Sequence, residues 1–110
     1  MRYFLKVFLI LIFSLSLSAN EKKEHLPSWI YTANQYKYFG LATANNHIKG
    51  KHYQENVARS KAKRKIILLF EQDRLSYKTK KEYISHFEEK KYMDQDKKVY
   101  VLIYLDNGYI

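Results

Sequence analysis

The sequence contains no cysteine. That removes disulfide staples, thiolate nucleophiles, thiolate zinc sites and a lipidated amino-terminal cysteine. Only three glycines occur, at 40, 50 and 108. A phosphate-cradling loop needs several glycines so that backbone N–H groups can close around the anion. Proline occurs once, at 27, and tryptophan once, at 29. No Gly-x-Ser-x-Gly turn is present to expose a serine nucleophile. The four histidines, His25, His47, His52 and His86, do not form a ligand pattern. His47 and His52 are five apart, which does not align them on a helix face, and zinc needs about four converging ligands. Asp94-Gln95-Asp96 opens like a calcium loop. Its sixth position would be Val99 and its twelfth Leu105, where the loop needs glycine and glutamate. Glu88 and Glu89 are adjacent, so in a strand they face opposite ways. No catalytic residue, metal or cofactor is expected, and the chain is read as a non-enzyme.

Long hydrophobic runs are also scarce. Val7 to Asn20 is an uncharged stretch of 14 residues, short of the roughly 20 that span a bilayer. Arg2 and Lys6 precede an apolar run, Val7–Phe13, and small residues follow, Ser14 to Ala19. This is the three-part pattern of a secretory leader. The expected organisation is a leader over 1–19, a charged tether over 20–28 and one domain over 29–110. Removing 19 residues from 110 leaves 91, a marginal size for a domain without disulfides. Export to the periplasm, to the outer membrane or out of the cell is the expected fate.

What the chain has in excess is positive charge. Beyond the leader, 18 Lys and Arg face 11 Asp and Glu, a balance of +7. Such a balance bears on anionic partners rather than on fold. The densest cluster is Lys61, Lys63, Arg64 and Lys65, a candidate patch for an anionic ligand. It is equally the composition of the wet side of a helix.

Periodicity gives an α+β expectation. Tyr36 to Ala42 has strand composition, and Gly40 within it signals a bulge or a close backbone approach. From about His52 to Gln72, residues spaced at about 100° place Ala58, Ala62, Ile66, Leu69 and Phe70 on one stripe. Two alanines on that stripe predict a helix lying close to a sheet. Gln72 to Lys81 is polar and reads as a loop. Ser85 to Asp94 reads as a strand, with a helix over Glu82–Lys91 as the alternative. The turn Gln95–Lys98 leads into Val99–Leu105, the clearest strand. The order is strand, long helix, strand, strand, in a small antiparallel sheet. Val99, Val101, Ile103 and Leu105 are expected under the helix. Trp29 and Ile30 are expected to plug one end of the core. Tyr100, Leu102 and Tyr104 face the other way. They need a second subunit, a coiled segment of this chain or a ligand, unless the tyrosines stay half-exposed. They form the candidate association face.

Pro27-Ser28-Trp29, Tyr38-Phe39-Gly40-Leu41-Ala42, the alanine-bearing helix, and Tyr92 to Leu102 together resemble a family. It is the small helicobacter and campylobacter envelope lipoproteins named for a twenty-kilodalton antigen. They share a domain type with the amino-terminal part of flagellar assembly protein T. The resemblance spans roughly Leu26 to Asp106. It implies a long helix on a short antiparallel sheet, an envelope location and no catalytic residues. This chain departs from it in lacking the lipidated cysteine. Three functions follow as expectations. One is an exported envelope protein acting through association, with a second copy or an envelope protein as partner. Another is a cationic module for lipopolysaccharide, the outer-membrane surface or extracellular nucleic acid, the last disfavoured as a partner. The third is a motility accessory.

Overall fold

The computed structural model describes residues 24–110. The leader expected over 1–19 lies outside the described residues. Strand β1 (Phe39–Ala44) leads into helix α1 (Lys51–Gln72), a shorter helix α2 (Tyr77–Ser85), then strands β2 (Glu88–Met93) and β3 (Val99–Tyr104). The three strands form one antiparallel sheet in the order β1-β3-β2. The α+β expectation and the long helix on an antiparallel sheet are both met.

Strand β3 is central because it is apolar on both faces. Its Val99, Val101 and Ile103, followed by Leu105, meet the α1 stripe of Ala58, Ala62, Ile66 and Phe70 with Tyr38, Ala42 and Ala44. Leu69 packs at the margin of this core. Small residues on both sides let α1 lie very close to β1. A Cβ added to Gly40 would stand 2.0 Å from the Ala62 carbonyl oxygen. Of the two readings of Gly40, the close approach is the one realised.

Some boundaries differ from expectation, two of them with structural consequences. Regular β1 pairing begins at Phe39, not Tyr36. Tyr38 still contributes, accepting Leu105 N–H at its carbonyl and placing its ring edge-on to Phe70. The polar run read as a loop contains α2. Ser76 caps it by accepting Thr79 N–H, and Tyr83 reaches the core beside Phe70. Lys78 and Lys81 are solvated and Lys80 is half-buried, so one inward aromatic in two turns left little periodic signal. The Glu82–Lys91 ambiguity resolves as both: its first part ends α2 and its second forms β2.

The second face of the sheet is covered by the chain itself. Two 3₁₀ turns, Ser28–Ile30 and Ala33–Gln35, lay Trp29, Ala33 and Tyr36 over Leu102, Tyr104, Phe39 and Leu41. Trp29 therefore does not plug an end of the main core; it belongs to this strap. Asn107 fastens the strap, accepting Lys37 N–H and donating to the Gln35 carbonyl. At the other end the Glu24 carboxylate accepts from Tyr92 Oη and Gln95 N–H.

Alkali is expected to weaken the fold through its buried tyrosines. Burial first, and then the hydrogen bond to Asp73, raise the Tyr38 hydroxyl from 10.0 to about 12. A folded pKa above the unfolded one contributes stability that is full below pH ~10 and lost as pH rises toward ~12. Tyr38→Phe should therefore move alkaline unfolding, followed by far-UV circular dichroism, to higher pH. An unchanged midpoint would mean that this hydroxyl ionises as it does in the unfolded chain.

Candidate functional site

The four cations of the Lys61–Lys65 cluster do not act as one patch. Ala62 faces the sheet, and a step of about 100° per residue turns Lys61 and Lys65 to one flank of α1 and Lys63 to the other. Lys61, Arg64 and Lys65 line, with Ala42 and Thr43, a shallow concavity of about 400 Å³ beside β1. Lys63 lies across the helix with Arg59, Phe87, Glu88 and Glu89.

The two flanks differ because β2 carries charged side chains that pair with α1 and β1 carries none. On the β2 flank, Arg59 pairs bidentately with Glu89, at 2.5 and 3.1 Å. Buried Glu55 has the Lys91 ammonium 2.8 Å from Oε2. That contact lies off a good hydrogen-bonding direction, so the oxygen is charge-compensated but otherwise unpartnered. Contact with Lys91, opposed by burial, holds the Glu55 carboxyl below the usual carboxylate range. Strand β1, Phe-Gly-Leu-Ala-Thr-Ala, carries no charge at all. Among the described residues, no acidic group lies within ion-pair distance of Lys61, Arg64 or Lys65.

Two of these cations are held by the sheet edge. Lys61 Nζ donates to the Thr43 carbonyl at 3.2 Å, and Lys65 Nζ to the Leu41 carbonyl at 2.5 Å. These carbonyls point outward because the even-numbered β1 residues pair with β3. Tyr38 bonds Leu105, and the register continues through Gly40 with Ile103 and Ala42 with Val101. The N–H groups of Phe39, Leu41 and Thr43 face the same way. They make no hydrogen bond among the described residues. Ammonium groups on an edge strand discourage uncontrolled pairing with other chains. The result is an edge of outward N–H dipoles flanked by cations. Such groups can donate to carboxylate or phosphate oxygens, since ammonium and guanidinium groups donate and do not accept.

The other expected site is not a free surface. Leu102 is fully buried and Tyr104 nearly so, beneath the strap, with the Tyr36 and Tyr104 rings stacked at 4.2 Å. Tyr100 is half-buried, with its hydroxyl 3.4 Å from Asp94 Oδ2. Of the covers weighed for this face, the coiled segment of the same chain is the one present. The motive for a second subunit on Tyr100, Leu102 and Tyr104 falls with it.

His47 packs on Tyr53, His86 packs on Tyr109, and exposed His52 lies 3.7 Å from Glu55 Oε1. Among the described residues, no three His, Asp or Glu side chains cluster as metal ligands would, and no helix is long and apolar enough to cross a membrane. No family model, curated protein or solved structure matches the chain. The row of outward N–H groups on β1 is the feature that sequence reasoning missed. It follows from pairing parity, which no local pattern encodes.

Proposed function

We propose that this chain is a non-enzymatic exported protein that works by association, with the β1 flank of α1 as its binding surface for an anionic partner. The observation that carries this reading is the grouping of Lys61, Arg64 and Lys65 on a flank where no acid neutralises them. The leader pattern over 1–19 and the resemblance to small envelope proteins support export. Three cations near an anionic surface contribute roughly 3 kcal/mol together, weaker than a millimolar Kd. The flank therefore steers and selects, and a second kind of contact must hold the partner.

The test separates a patch from bulk charge. The triple variant K61Q/R64Q/K65Q and the α2 triple K78Q/K80Q/K81Q lose the same charge. On immobilised polyglutamate the first should elute at clearly lower salt than the second. Equal elution of the two folded variants would mean that only net charge is read, and the flank would lose its role.

A further inference from the structure

We propose that β1 is an acceptor edge for an acidic extended segment of a partner protein, which adds to the sheet as a fourth strand. The proposal rests on the flank reading above and names its partner class. Strand β1 lies at the edge of the sheet, and Phe39, Leu41 and Thr43 turn their N–H and C=O groups outward. Three N–H groups are already free among the described residues, and two carbonyls are held only by lysine ammonium groups.

An incoming strand can replace those contacts one for one. Its carbonyls accept from Phe39, Leu41 and Thr43 N–H. Its N–H groups take over the Leu41 and Thr43 carbonyls. The displaced Lys61 and Lys65 ammonium groups swing to carboxylates on the incoming strand, and no donor is left without an acceptor. Side chains on the α1 face of that strand lie beside Lys61, Arg64 and Lys65, so that face should be acidic. Side chains on the opposite face extend the half-buried layer of Phe39 and Leu41 under the strap, so they should be apolar. The recognised pattern is thus acidic and apolar residues in strict alternation, with carboxylates at i and i+2.

Charge decides against the other occupants. A second copy pairing β1 with β1 would set two uncompensated basic flanks together, with no carboxylate on either β1. A phosphate-bearing surface would satisfy the cations but offers no acceptors spaced along the row of N–H groups.

The experiment uses a fluorescein-labelled peptide of alternating glutamate and valine, about ten residues long to exceed the edge, and fluorescence anisotropy with the protein. In antiparallel addition the valines share a face with Phe39, Leu41 and Thr43, so the valine N–H groups point at β1. N-methylation of the valines should weaken binding by about tenfold or more, and N-methylation of the glutamates should not. Amide exchange at Leu41 and Thr43 should slow in the complex. If both methylated peptides bind like the parent and exchange is unchanged, strand addition is wrong while the flank reading stands. Strand addition is equally wrong if the peptide fails to bind but vesicles of phosphatidylglycerol bind through Lys61, Arg64 and Lys65. If neither binds, both readings fall.

Discussion

Replacing Gly40 with valine should leave the domain unfolded, and alanine at the same position should destabilise it by roughly 3 kcal/mol. The reason is a contact between two backbones. The added Cβ would stand 2.0 Å from the Ala62 carbonyl oxygen, 2.7 Å from its carbon and 3.0 Å from its Cα. None of these atoms can turn aside as a side chain would. The helix must retreat, and the retreat opens the whole layer of Ala58, Ala62 and Ile66 against Ala42, Ala44 and Val101. A domain of this size is stable by only about 5–10 kcal/mol, so valine exceeds what it can absorb. The urea midpoint, read by circular dichroism, measures the alanine effect. Ala62→Gly in the Gly40→Ala background supplies the sharper check. Removing the Ala62 methyl does not remove its carbonyl, so the double variant should show no rescue. Rescue, or a wild-type midpoint for Gly40→Ala, would mean that the helix does not lie this close to β1.

That close approach was half-legible beforehand. The glycine in a strand and the alanines four apart in a helix each announce it, and neither names the other as partner. The stripe Ala58, Ala62, Ile66, Phe70 and the alternation Val99, Val101, Ile103 could be read because period alone defines a buried face. Buried Gln54 and Glu55 could not, although they continue the same stripe four and three residues before Ala58. Their partners, the Lys97 carbonyl at 2.6 Å and the Lys91 ammonium, come from the β2–β3 hairpin. The basic cluster shows the same limit. Its residues are neighbours in sequence, and the helical step divides them. What each half faces depends on the outer strands: Lys63 lies beside Glu88 and Glu89, the latter paired with Arg59, whereas Lys61, Arg64 and Lys65 face an uncharged strand. The cover on the candidate association face was hidden for a related reason. The two-sided apolarity of β3 was plain, but nothing in residues 29–36 says which surface their aromatics will cover.

Replacing Leu102 with glutamate decides that last point, and the expected result is an unfolded chain at every protein concentration. Leu102 is fully buried on the central strand, with Leu41 and Lys90 as register partners and Ala33 above it in the strap. A carboxylate there is cut off from water, and breaking or failing to form its pairing costs several kcal/mol. Lys90 is the nearest cation by register, and its ammonium lies 5.6 Å from the centre of the Tyr104 ring. Turning to the new carboxylate would cost it that contact and still leave the charge under an apolar cover. Leu102→Ala separates charge from packing: it should cost about 2–5 kcal/mol and keep a folded, weakened domain. Trp29, the only tryptophan, lies in the strap, so its fluorescence should shift to the red in that variant as the strap loosens. The alternative behaves differently. Were this face an interface between copies, Leu102→Glu would yield a folded monomer with a near-native thermal midpoint in sedimentation and circular dichroism. That outcome would lift the strap off the sheet and return Tyr100, Leu102 and Tyr104 to the partner. An unfolded chain instead keeps this face beneath the strap, as part of the domain's own interior.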